Sequence, residues 1–169
     1  GQWGGVLEGG WRLGRIPDPA PRPRVVHHSP PLGDLIRPVN KHSNNVMARH
    51  MKLALGAHRY GGPATLEKGY AAIREVLERE GVDTRGLIMD NAAGLSRTNR
   101  ISARQLAAVL MAGRRSPYMP EYVSSLALSG MDGTLSRRFV GQPEAGRMHL
   151  KTGYINGVSS VAGYVRTAG

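Results

Sequence analysis

The sequence predicts an α+β domain with helices packed on an antiparallel sheet, and three observations predict it. Leu66, Tyr70, Ile73, Val76 and Leu77 recur at helical spacing, which gives one apolar stripe on a polar cylinder. Ser102 followed three places on by Gln105 forms a capping box ahead of Leu106, Val109 and Leu110, a specific helix-start signal. Near the end, MHLKTGY and VSSVAGYVR flank Asn156-Gly157, the dipeptide that best accepts the positive φ angles of a tight hairpin. Helices that precede strands, rather than alternating with them, point to α+β and not to a parallel α/β sheet.

From the start of the chain to about Pro31, the run of Gly, Pro and Arg around PDPAPRPR favours extended or turning backbone. Residues 1–31 therefore read as a linker or inter-domain segment, and residues 32–169 as the folded part. A helix is expected from near Ser43, where polar residues can cap it, with Met47, Met51, Ala54 and Leu55 on its apolar face and Gly56 as its stop. The Gly-Gly-Pro turn at Gly61 to Pro63 leads into the helix of Leu66 to Leu77, which Gly81 ends. Leu87-Ile88-Met89 is short and apolar, as a buried strand would be, and is followed by the loop DNAAGLSRTNR. The helix after Ser102 comes next, then a short helix within Pro120 to Leu128, the SGMDG turn and the hairpin.

The formal net charge of +11 favours a polyanionic partner such as nucleic acid, an anionic membrane surface or a cell-wall polymer. The basic residues are scattered, with Arg22/Arg24 and Arg114/Arg115 the nearest to clusters. The few aromatics do not interleave with them as a base-stacking surface requires, which disfavours a nucleic-acid-binding module. The chain contains no cysteine, so disulfides, thiolate metal sites and a cysteine nucleophile are excluded. Its histidines form no H-E-x-x-H pair, and His50 with His58 lack both the spacing and a nearby carboxylate for zinc. Neither metal nor cofactor is expected.

Two short motifs can carry chemistry. Lys151-Thr152-Gly153 falls inside the first hairpin strand. There an ammonium can bind a carboxylate, a hydroxyl can donate to it, and a residue without a side chain lets a substrate backbone approach. About one chain in twenty or thirty of this size carries K-T-G by chance, so the tripeptide has weight only in company. Ser43-Asn44-Asn45 matches S-x-N, whose Ser can relay a proton and whose Asn amide can hold both a lysine and a substrate amide. Ser43 or Asn44 also stands where a helix cap is required, and the two readings are compatible.

Four ordered blocks give these motifs company: SPPLGDLIRPVNKHSNNVMAR, DNAAGLSRTNRIS, MDGTLSRRF and GRMHLKTGYINGVSSVAGYV. With them the chain resembles, over about residues 25–166, the low-molecular-mass class C penicillin-binding proteins. These are D-alanyl-D-alanine carboxypeptidases and endopeptidases of a β-lactamase/transpeptidase-like fold. The resemblance implies an acyl-enzyme mechanism on peptidoglycan stem peptides, inhibition by β-lactams, and a periplasmic location, peripheral to a membrane, with any signal upstream. It implies catalytic roles for Ser43, Asn45 and Lys151, and substrate binding by Thr152, Gly153 and Tyr154, with an oxyanion donor among the backbone N–H groups from Thr152 to Tyr154. Lys41, in the same block as Ser43, is expected to line the mouth of the site, against the alternative of an ordinary surface lysine.

The pattern departs from the family in one serious respect: S-x-x-K, which holds the nucleophilic serine, occurs nowhere in the sequence. The expectation is a nucleophile upstream, and neither acylation nor turnover by these 169 residues alone. The rival expectation is a catalytically silent peptidoglycan-binding piece. Ala92 and Ala93 stand where Gly and Ser are usual, a milder departure.

Overall fold

The computed structural model describes residue 6 and residues 8–167, so the first part of the expected linker, Trp3 included, lies outside the described residues. Residues 8–31 contain no helix or strand and are exposed throughout. Five helices follow: α1 (Leu32–Lys41), α2 (Asn45–Tyr60), α3 (Leu66–Arg79), α4 (Ala103–Arg115) and α5 (Met119–Ser125). Strand β1 (Ala127–Leu128), a 3₁₀ turn (Gly133–Leu135), and strands β2 (Met148–Ile155) and β3 (Val158–Val165) complete the chain. The three strands form one antiparallel sheet in the order β1-β2-β3, so the α+β reading holds.

Helix α1 was not foreseen, because Pro38 inside it removes a backbone donor and argues locally against helix. It forms nonetheless. Asp34 in its first turn and Lys41 in its last complement the helix dipole, and Val39 is buried where α1 packs on α5. The helix near Ser43 begins at Asn45, with Asn44 as its cap: the Asn44 side chain accepts from Met47 N at 3.0 Å.

Gly56 does not stop α2, which runs on to Tyr60 and is capped by Gly61 at φ 74°. Its buried face is also rotated from the expected one: Lys52 and Gly56 are buried, while Leu55 is exposed. The reason is a backbone-to-backbone crossing with α3. A Cβ on Gly56 would lie 2.5 Å from Gly69 N, and one on Gly69 would lie 2.4 Å from Lys52 O. The crossing therefore needs two residues without side chains. Gly69→Ala is expected to force the helices apart and destabilise the fold by about 3 kcal/mol. Chemical unfolding of the full-length protein should show a lower midpoint, and an unchanged midpoint would contradict the close crossing.

The Leu87-Ile88-Met89 strand does not form; Ile88 makes a single antiparallel bridge with Arg100, both hydrogen bonds being 2.9 Å long. Leu87 is buried, but Ile88 is half exposed, so the run lacks the two covered faces of a central strand. The Ser102 capping box is present: Gln105 N donates to Ser102 Oγ at 3.1 Å, and Ser102 N to Gln105 Oε1 at 2.9 Å. The short helix within Pro120 to Leu128 becomes α5 followed directly by β1, whose Ala127, with Leu126 and Leu135, is the most deeply buried apolar material. The hairpin about Asn156-Gly157 forms as expected, and its register sets Lys151 opposite Ala162 and Gly153 opposite Ser160.

Candidate active site

A cleft of about 640 Å³ opens between the start of α2, the 92–95 loop and the KTG segment of β2. Among the described residues that line it, Lys151 is the one charged side chain. Its ammonium donates to Ser43 Oγ at 2.9 Å and to Thr152 O at 2.7 Å. The two motifs, 108 residues apart in sequence, are thus joined by a direct hydrogen bond. No carboxylate pairs with Lys151 among the described residues, so a cation faces the cleft without a counter-charge. Burial of the group pushes its pKa below the ordinary lysine value, since an ammonium loses solvation there.

Ser43 is free for this role because Asn44 takes the helix cap. The backbone turns from α1 into α2 at Ser43 with φ 54°, a left-handed conformation that costs a non-glycine residue about 1 kcal/mol. Asn45 opens α2. With its NH₂ facing the two carbonyls beside it, its amide donates to Ala93 O at 2.9 Å and Ser43 O at 3.3 Å, tying the Ser43 turn to the loop opposite.

Thr152 Oγ1 lies 3.1 Å from Thr134 Oγ1, on the 3₁₀ turn. A Cβ on Gly153 would sit 2.6 Å from Ser160 Oγ, a contact that rotation of the Ser160 side chain relieves, so it is open approach to the strand that favours glycine there. Tyr154 lines the cleft with its side chain 75 % exposed. The parity of backbone groups on β2 follows from two bonds. Ser129 N donates to Met148 O at 2.9 Å on the β1 side, and Arg166 N to Arg147 O at 2.9 Å on the β3 side. Even-numbered residues of β2 therefore point their N–H and C=O away from β3. Since β1 pairs only with His149 and Leu150, the backbone edge at Thr152 and Tyr154 is uncovered and lines the cleft.

Lys41 is not at the mouth of this cleft. It is 6 % exposed, and its ammonium lies 2.6 Å from Asp132 Oδ2. Burial opposes ionisation of Asp132, but donation from Leu128 N and from Lys41, with the charges of Lys41 and Arg37, outweighs it and holds the carboxyl below its usual range. This ion pair ties the end of α1, two residues before Ser43, to the turn that carries Thr134.

Lys52 was missed altogether. Its stem passes over Gly69 and it is 2 % exposed; its ammonium donates to Met89 O at 3.1 Å and also to Asp90 O. Tyr70 lies beneath it, 5.8 Å from the ring centre, and the Tyr70 hydroxyl donates to Leu87 O at 2.7 Å. Desolvation lowers the Lys52 pKa, against the opposing charges of Asp90 and Glu67. The 92–95 wall of the cleft is thereby anchored from α2 and α3. Its Ala92 has φ 60°, which accounts for the glycine usual there. The sequence offers only an indirect hint: Ala48 and Gly56 are small residues on the helix face that also carries Lys52, which suits a close crossing but does not single out the lysine.

The profile of the D-Ala-D-Ala carboxypeptidase 3 (S13) family matches residues 2–169. The chain belongs to that family. It is 31 % identical to a D-alanyl-D-alanine carboxypeptidase of an Actinomadura strain, over 96 % of this chain and 31 % of that protein. It is 34 % identical to the carboxypeptidase DacB of Mycolicibacterium smegmatis, over 81 % of this chain and 31 % of that one. Among solved structures, penicillin binding protein 4 (dacB) of Haemophilus influenzae in complex with a β-lactam superposes with a TM-score of 0.75. That match has 28 % identity and covers 82 % of this chain and 32 % of the other. The chain thus spans about a third of the length of the relatives it matches. The helices-on-sheet architecture is that of these carboxypeptidase neighbours.

Proposed function

We propose that this chain supplies the second and third active-site elements of a serine-type D-alanyl-D-alanine carboxypeptidase/endopeptidase whose nucleophilic serine lies upstream. The Lys151 Nζ to Ser43 Oγ bond of 2.9 Å carries the reading, because it joins the S-x-N and K-T-G motifs at one cleft. In this reading residues 32–169 are the C-terminal part of the penicillin-binding domain, and residues 1–31 are the segment that enters it.

The upstream serine attacks the carbonyl between the two terminal D-alanines. A base beside that serine takes its proton, the C–N bond breaks as the same proton passes to the leaving amine through Ser43, and water then hydrolyses the ester. Lys151 and Thr152 hold the terminal carboxylate, Asn45 orients the substrate amide, and the uncovered Tyr154 N–H donates to the oxyanion. Stem peptides and β-lactams are then ligands of one site, in the periplasm, and the basic surface suits an acidic wall polymer.

The test is release of D-alanine from a pentapeptide stem by the full-length protein, with none released in the absence of enzyme. A folded full-length protein that binds the peptide without releasing D-alanine would instead favour a silent binding piece, the reading that the missing S-x-x-K motif supports.

The lowered pKa of Lys151 gives a pH dependence of definite sign. Binding of the carboxylate needs the ammonium, so activity falls as pH rises through the depressed pKa. An alkaline limb below the ordinary lysine value is expected in the rate profile, and a limb at or above that value would contradict it. The stability contribution runs the other way. A charge that the fold disfavours lowers stability at neutral pH, and this loss is recovered as pH rises from the folded pKa towards the unfolded one.

A further inference from the structure

Ser43 meets Lys151 only if two stretches far apart in sequence are held in register, and the structure closes that register twice. The first closure is the Lys151–Ser43 bond itself. The second lies a little way back along each stretch. Asp132 Oδ2 takes the Lys41 ammonium at 2.6 Å, and Asp132 Oδ1 accepts from Leu128 N at 2.8 Å. Leu128 is the β1 residue opposite His149, two places before Lys151, and Lys41 stands two places before Ser43. Lys41, Asp132, Leu128, His149, Lys151 and Ser43 thus form a closed ring of bonded contacts and short chain links. Gly133, at φ 55°, tightens it: a Cβ there would lie 2.5 Å from Lys41 O and 3.1 Å from the Cβ of the buried Ala127.

An ion pair with a buried partner adds little stability that an apolar pair of the same shape would not add, because its charges lose solvation. What it does is select one geometry: the Lys41 ammonium meets one carboxylate oxygen, and the β1 backbone holds the other. Ser43 needs such selection. Its φ of 54° is a conformation that a non-glycine residue keeps only where its surroundings impose it. The local bonds, His42 N to Pro38 O at 3.2 Å and Asn44 N to Val39 O at 3.0 Å, wrap the turn but do not reach β2. We propose that Lys41 and Asp132 are a positioning pair for proton transfer, holding the Ser43 turn against the hairpin where Ser43 Oγ meets the Lys151 ammonium. The pair acts through Ser43 and does not line the cleft. This rests on the function proposed above, since it presumes that Ser43 passes the proton on.

The test uses the full-length protein and a D-Ala-D-Ala-terminated stem peptide. The Lys41→Met/Asp132→Asn variant makes the pair neutral, and the asparagine keeps an acceptor for Leu128 N. Its kcat should fall about thirtyfold, since displacing a reacting group by about 1 Å costs up to about a hundredfold. KM should stay within about threefold of the parent, because Lys151 and β2 are untouched. Added to Ser43→Ala, the neutral pair should cost less than about threefold beyond Ser43→Ala alone, as it acts through that hydroxyl. Asp132→Glu keeps both charges but lengthens the link by a methylene, so it should fold and still lose kcat about fivefold, which decides the question should the neutral pair not fold. Parental kcat in a folded variant, or a loss that adds fully to that of Ser43→Ala, would overturn the inference and leave the function standing. A folded parent protein that releases no D-alanine would overturn the function, and this inference with it.

Discussion

Lys151→Ala in the full-length protein is expected to slow acylation by benzylpenicillin by two to three orders of magnitude. The change removes the one cation among the described residues that line the cleft, together with the donor that fixes Ser43 Oγ at 2.9 Å. A charge-assisted bond to a bound carboxylate contributes roughly 1.5–3 kcal/mol. Loss of the Ser43 contact disturbs proton delivery in the transition state, and removal of one such preorganised group costs about 3 kcal/mol in related chemistry. Even partial addition of the two gives a loss of at least a hundredfold. Burial of Lys151 already opposes its charge, so removing that charge should not unfold the protein. Time-resolved mass measurement of the adduct checks this, and a rate within a few-fold of the parent would remove Lys151 from the mechanism.

Lys52→Met should have a large local effect, opening the loop of residues 88–95. Methionine keeps the apolar stem over Gly69 but leaves Met89 O and Asp90 O without their shared donor. Two opposing quantities decide the sign. Removing a desolvated ammonium relieves an energetic cost, which the lowered pKa of Lys52 reports. Against it stand two hydrogen bonds from a charged donor, each contributing about 1.5–3 kcal/mol, and a ring contact of about 1 kcal/mol. The bonds win, with a net local loss of about 2–3 kcal/mol. Amide hydrogen exchange in residues 88–95 should then quicken by roughly a hundredfold, while exchange in β2 and β3 stays the same. Unchanged exchange in the loop would show that Lys52 does not anchor it.

The contrast between these two lysines shows what the sequence could reveal. Lys151 was legible because K-T-G and S-x-N lie in blocks that resemble a known family, although nothing in either tripeptide states that they touch. The Ser102 capping box and the Asn156-Gly157 turn were legible because their hydrogen bonds are local, formed within four residues of each other. Lys52 was hidden because a lysine in a helix is ordinarily a solvated residue. Its burial depends on Gly69, seventeen positions on in another helix. Gly56 misled for the same reason, since a glycine that stops a helix and one that admits a neighbouring helix look alike in sequence. Helix α1 was masked by Pro38, whose local cost is overcome by packing on α5. Lys41 was placed at the mouth through its nearness to Ser43 in sequence, whereas its partner Asp132 comes from the far end of the chain. Thr134 had no signal of its own until the turn around it was seen to lie beside Thr152.

The most direct test of the central claim is the intact mass of the full-length protein after incubation with benzylpenicillin, followed by peptide mapping of the modified residue. The account predicts one penicillin per molecule, on a serine upstream of Gly1. A folded full-length protein that gains no adduct, or gains one on a serine of this sequence such as Ser43, would contradict it.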